Sequence, residues 1–162
     1  NISTDDNAAD DGSITIKGRI EVANNITFDT QQGDNERGGN MDFFLGFLSA
    51  STAGTDLTFN SSTSASGLNG GDVKLPKMDS GAGFFVNDLT INATAGAGGL
   101  NGSVTVTGDI LLDNSGADLA NLTLTGVAKL KPNSSELIDL EQGRIIDVER
   151  AGHGSQLVVG IR

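Results

Sequence analysis

The chain is 162 residues long, 36% hydrophobic, with 23 glycines, no cysteine and a net charge of −11. That length fits one domain with a real core, and the lack of cysteine excludes both a disulfide framework and thiolate chemistry. An acidic surface repels nucleic-acid phosphates and anionic lipid, and no apolar run reaches a membrane span, so nucleic acid and membrane insertion are not expected among its partners.

Residues 1–11 read as a flexible polar arm, with Asp5, Asp6, Asp10 and Asp11 close together. A single β domain is expected over 12–162. It opens with Asp11 to Val22, where Ile14, Ile16, Ile20 and Val22 share one side of an extended strand. Ser13, Thr15, Lys17, Arg19 and Glu21 share the other, which is the period of a half-buried strand. Gly18 stands in the apolar row, where a missing side chain marks a bulge or a close neighbour. The same pattern returns at Asn101 to Leu112, with Val104, Val106, Ile110 and Leu112 in the apolar row and Gly108 in place of Gly18.

Between these copies lie a short strand at Asn25 to Asp29, a polar loop over Thr30 to Asn40, and the run Phe43 to Leu48. That run suits a strand buried on both faces. Leu57-Thr58-Phe59 forms a brief strand between loops rich in Ser, Thr, Gly and Asn. Val73 to Met78 carries Pro76, the mark of an edge strand or a strand end. Phe84-Phe85-Val86 and Leu89-Thr90-Ile91 follow the turn at Gly81 to Gly83. After the second copy, Leu122 to Lys131 alternates again until Pro132. Ser134 to Leu140 is the one place where a helix competes. Arg144 to Glu149 and Leu157 to Ile161 read as a terminal hairpin.

A second repeat, [DN]-[LI]-T-[FIL], starts at Asn25, Asp56, Asp88 and Asn121, in steps of 31, 32 and 33 residues. A near-constant period is the signature of a solenoid whose rungs stack. The material between the copies aligns poorly, and sandwiches also space their strands regularly. The expected fold is therefore all-β, an antiparallel β-sandwich or jelly roll, with a β-solenoid as the alternative.

Catalytic equipment is sparse. The one histidine, His153, sits in a Gly152-His153-Gly154 turn, and no Gly-x-Ser-x-Gly elbow, phosphate loop or dinucleotide fingerprint occurs. No enzymatic activity, catalytic residue or organic cofactor is expected. Calcium is the one metal to weigh, because flexible loops of Asp and Asn supply hard oxygen ligands. Asp113, Asn114 and Asp118 are the candidates. Asn-x-Ser/Thr occurs at Asn1, Asn25, Asn60, Asn92, Asn101, Asn121 and Asn133, which makes the last six candidate glycosylation sites. With no Trp or Tyr, the chain lacks the flat platforms that sugar sites favour.

The stretch Gly12-Ser13-Ile14-Thr15-Ile16-Lys17-Gly18-Arg19-Ile20 resembles the opening strand of fimbrial subunits of the chaperone–usher pilin family. The resemblance covers about a dozen residues. It implies an immunoglobulin-like sandwich completed by a strand from a neighbouring subunit. The polar arm lacks the alternating apolar residues of a donor strand, so the candidates for strand exchange are Ile14, Ile16, Ile20 and Val22 together with Leu157, Val159 and Ile161. A start at Asn1 instead of Met fits removal of a signal peptide and an extracellular, cell-surface location. The expected role is a non-enzymatic structural subunit of an extracellular filament or fimbria, adhesive or biofilm-related, that polymerises with itself through strand edges. The alternatives are a phage or virion component, such as a tail, fibre or decoration protein, and a secreted glycan-binding β-domain.

Overall fold

The computed structural model describes residues 2–4, 12–31, 36–44, 46–79, 83–108, 110–112, 121–125, 127–130, 138–140, 144–148 and 159–160. In chain order the strands are β1 (Ile2–Ser3), β2 (Ile14–Lys17), β3 (Ile20–Val22), β4 (Ile26–Asp29), β5 (Met41–Phe44) and β6 (Phe47–Ala50). They continue with β7 (Leu57–Asn60), β8 (Val73–Leu75), β9 (Lys77–Met78), β10 (Leu89–Asn92), β11 (Ser103–Val106) and β12 (Ile110–Leu112). The last are β13 (Asn121–Thr125), β14 (Val127–Leu130), β15 (Ile138–Leu140), β16 (Arg144–Val148) and β17 (Val159–Gly160).

From β1 to β16 every third strand joins the same sheet, and β17 joins the sheet of β15. The first sheet runs β1-β4-β7-β10-β13-β16, the second β2-β5-β8-β11-β14, and the third β3-β6-β9-β12-β15-β17. Among the described residues all pairings between strands are parallel, and one isolated bridge, between Ala50 and Phe84, is antiparallel. The chain is therefore a β-solenoid. Through β15 each circuit lays one strand in each of three walls, and the next circuit stacks on it. This overturns the antiparallel sandwich or jelly roll and supports the solenoid alternative. The four copies of [DN]-[LI]-T-[FIL] fall on successive rungs of the first sheet, where Leu57–Asn60 pairs residue for residue with both Ile26–Asp29 and Leu89–Asn92.

Several long strands of the sequence reading become two short strands meeting at a corner. Ile14 to Val22 is β2 and β3, in different walls, and Gly18 between them has φ +111°, a conformation L side chains rarely adopt. Phe43 to Leu48 likewise splits around Gly46 into the end of β5 and the start of β6, with Phe43 and Leu48 inside and Phe44 and Phe47 half-buried outside. Pro76 sits at the equivalent corner, between β8 and β9, and not on an edge strand. No hairpin closes the described part of the chain: β16 pairs with β13 in the first sheet and β17 with β15 in the third. Where a helix competed, Ile138–Leu140 is a strand.

The walls enclose one apolar core. Phe28, Phe43, Phe59, Leu57, Leu89, Leu122, Ile91, Leu48, Met78 and Ile110 are essentially inaccessible to solvent. Phe28 stacks on Phe59 at 5.1 Å between ring centroids with an interplanar angle of 6°, and Phe43 meets both edge-on at 5.0 Å. Each such ring contributes roughly 1.5–3 kcal/mol by burial. The outward row of the first sheet is Thr27, Thr58, Thr90 and Thr123, half-buried and in register.

A column of glycines sets how closely the rungs stack. Gly39, Gly71 and Gly102 each lie two residues before the first inward position of β5, β8 and the corresponding Val104 of β11. A Cβ on Gly71 would overlap the carbonyl oxygen of Gly39, and one on Gly102 the carbonyl oxygen of Gly71. The Gly-Ser-[Ile/Val]-Thr motif repeats because it begins at this column and runs into the second wall.

Candidate functional site

Side chains at the corners form hydrogen-bonded ladders along the rungs. Just ahead of β4, β7 and β10 stand Asn25, Asp56 and Asp88, and Asn121 opens β13. Asn25 Nδ2 donates to Asp56 Oδ2 at 2.9 Å, and the Asp56 amide donates to Asn25 Oδ1 at 3.0 Å. Asp56 Oδ1 accepts from Asn87 Nδ2 at 3.0 Å and from the Asp88 amide at 3.2 Å. Asp88 Oδ1 in turn accepts from the Asn121 amide at 2.8 Å and from its Nδ2 at 3.1 Å. Only residues with a short side-chain oxygen can cap the next rung in this way, which is why the repeat begins with Asn or Asp.

A second ladder precedes the second-sheet strands. Asn40 Oδ1 accepts the Asp72 amide at 2.9 Å, and Asp72 Oδ1 accepts the Ser103 amide at 2.7 Å and its hydroxyl at 2.8 Å. Beside it, Asn69 Oδ1 accepts the Leu100 amide at 2.9 Å. These residues line an open polar groove of about 240 Å³, together with Arg37, Gly38, Gly70, Asn101 and Gly102. The glycines of the lining let adjacent backbones approach closely. A Cβ on Gly38 would overlap the Ser61 carbonyl, and one on Gly70 the Ala93 carbonyl, so no side chain can stand there. Leu100, 73% exposed, is the apolar member of the lining.

The corner between the second and third walls carries cations and rings. Lys17 and Lys74 lie over the Phe44 ring at 5.0 and 5.2 Å. Arg19 and Lys77 lie over the Phe47 ring at 5.0 and 5.5 Å. Arg19 pairs with Glu21, Lys74 with Asp42 at 3.3 Å and Lys77 with Asp79 at 3.0 Å, so acids offset most of this charge. The stacks shield two outward phenylalanines from water.

The sequence-derived candidates are dispersed over this frame. Ile14 and Val22 are buried, and Ile16 and Ile20 pack partly buried against the core, so these apolar side chains are spent within the chain. Among the described residues those strands are the first of the second and third sheets. Val159 pairs with Ile138, while Leu157 and Ile161 lie outside the described residues. Asp113, Asn114, Asp118, His153 and Asn133 also lie outside them. Among the described residues no three His, Cys, Asp or Glu side chains converge to hold a metal ion, and no helix is long and apolar enough to cross a membrane. Ile2 and Ser3 pair with Phe28 and Asp29, which carries part of the expected polar arm into the first sheet.

The glycosylation candidates divide by geometry. Asn25 and Asn121 commit their Nδ2 atoms to the ladder. Asn101 Oδ1 accepts the Ala95 amide. Asn60 and Asn92 instead accept the hydroxyls of Ser62 and Thr94, at 2.6 and 2.9 Å, two residues on. The groove was missed at the level of sequence. Its signal was Leu-Asn-Gly at Leu68 and again at Leu100, one rung period apart. Comparison with family models, with curated proteins and with solved structures finds no match to this chain, so the functional reading rests on edges, ladders and groove.

Proposed function

We propose that the chain is a non-enzymatic structural rod of an extracellular filament or fimbria, which extends by adding backbone edges of further copies to the ends of its sheets. The observation that carries this reading is the in-register parallel stacking, in which each rung offers the next the same row of backbone groups. Among the described residues β1, β2 and β3 are the first strands of the three sheets and β16, β14 and β17 the last. An unpaired strand edge is a row of free N–H and C=O groups that templates a further strand. Because all strands are parallel, the two ends differ, and a head-to-tail contact between different surfaces does not close but propagates. Stacking adds ~4.8 Å of rod per rung.

Negative-stain microscopy of the purified protein over a concentration series tests this. The expected result is rods that lengthen with concentration at constant width. Monodisperse single-copy particles at every concentration and ionic strength would overturn it.

A further inference from the structure

We propose that the groove beside the second ladder is a binding site for a hydroxyl-rich saccharide, recognised by hydrogen bonds rather than by ring stacking. The ladder leaves polar atoms of three side chains over. Asn40 and Asn69 each spend Oδ1 on a backbone amide of the next rung, and Asp72 spends Oδ1 on Ser103. Among the described residues, Asn40 Nδ2, Asn69 Nδ2 and Asp72 Oδ2 have no protein partner. Two amide donors and one carboxylate acceptor therefore line one groove, on side chains each already held by a hydrogen bond to its Oδ1. Binding to such groups forfeits little side-chain entropy.

The chemistry matches vicinal hydroxyls. Each sugar OH both donates and accepts, so a diol can give a hydrogen bond to Asp72 Oδ2 and take one from an asparagine Nδ2. The volume of about 240 Å³ has room for a mono- or disaccharide, and the exposed Leu100 gives its C–H face an apolar neighbour. The glycine floor cannot be filled by a side chain, because Cβ atoms at Gly38, Gly70 and Gly102 would overlap carbonyls of adjacent strands and loops. The floor amides of Gly38 and Gly70 donate to Asn69 and Leu100 carbonyls, and that of Gly102 to the Ala93 carbonyl. Recognition thus falls to the Asn and Asp side chains.

The ladder supplies its own conservative variants. Asn40 and Asp72 occupy the same rung position and both accept through Oδ1, so Asn40→Asp and Asp72→Asn keep the ladder acceptor while exchanging a free donor for an acceptor, or the reverse. Asn69→Asp does the same one column away. The experiment is a two-dimensional amide NMR titration of the full chain with glucose, galactose, mannose, xylose, N-acetylglucosamine and glucuronate at millimolar concentration. The expected result is saturable shifts for at least one of these sugars, confined to residues around Asn40, Asn69, Asp72 and Leu100. Each of the three variants should weaken that binding at least tenfold with an unchanged circular dichroism spectrum and melting temperature. No saturable shift for any of the six sugars, shifts elsewhere on the rod, or equal binding by all three variants would overturn the site.

Discussion

At the scale of single residues, close approach and ladder chemistry dominate, and both are testable by small changes. Gly71→Ala adds one carbon where the Gly39 carbonyl already stands. The rungs must separate or the backbone must shift, and overpacking of this kind costs about 1–3 kcal/mol. Thr58→Ala, one wall away and half-exposed, should cost well under 1 kcal/mol, as ordinary surface changes do. Urea unfolding of the two variants separates them, and equal midpoints would refute the close-packed glycine column. Asp56 is the other informative residue, since its two carboxylate oxygens serve Asn25, Asn87 and the Asp88 amide. Asp56→Ala removes the acceptor from these exposed and half-buried donors and is expected to cost about 0.5–1.5 kcal/mol, again measured by urea unfolding. Asp56→Asn, which keeps one acceptor, should fall between the wild type and Asp56→Ala.

At the scale of elements, the sequence carried the strands but not how they are joined. Alternation at Ile14, Ile16, Ile20 and Val22 says that one side is buried. It reads the same whether the neighbour is antiparallel or a parallel rung, and parallel sheets are more often covered on both faces. Here the closed circuit buries one face of each parallel wall, so the usual association of clean alternation with antiparallel sheets misleads. Gly18 was legible as an irregularity, yet only its φ of +111° shows that the irregularity is a corner between two walls. The period from Asn25 to Asn121 was the strongest evidence for stacking. It was obscured because the loops from β4 to β5 and from β7 to β8 share a Gly-[Asn/Asp] ending and little else. The groove was illegible for a related reason, since Asn40, Asn69 and Asp72 meet only when the rungs are superposed. The outward phenylalanines belong at this scale too. Phe44→Ala removes the ring between Lys17 and Lys74 and should cost about 1–2 kcal/mol, from two exposed cation–π contacts of roughly 0.5–1 kcal/mol each. Thermal melts of Phe44→Ala and of Phe44→Leu check this; if Leu restored full stability, the cations would contribute nothing beyond covering apolar area.

At the scale of the whole molecule, a stacked rod is a one-dimensional object. Each rung touches only its neighbours, so stability is the sum of local rung and interface terms, and unfolding starts where those terms are smallest. The Phe28, Phe43 and Phe59 cluster joins β4, β5 and β7. Amide hydrogen exchange should therefore be slowest there and in β10, and faster in the terminal strands β2 and β3. Uniform protection along the chain would instead indicate a globally cooperative unit. The same one-dimensional logic underlies the proposed filament, in which a further copy acts as one more set of rungs.

The central claim is that residues one period apart are neighbours in register in one parallel wall, and cross-linking tests it directly. The protein has no cysteine, so paired substitutions report without background. Thr58 and Thr90 are register partners on adjacent rungs, and Thr90 is the partner of Thr123 on the rung after. Neighbouring strands lie ~4.8 Å apart, within the Cα range of a disulfide, whereas two rungs span ~9.6 Å and exceed it. The account predicts that Thr58→Cys/Thr90→Cys and Thr90→Cys/Thr123→Cys oxidise to intramolecular disulfides in the folded protein, and that Thr58→Cys/Thr123→Cys does not. Bonding of Thr58→Cys to Thr123→Cys, or failure of both adjacent pairs, would contradict it.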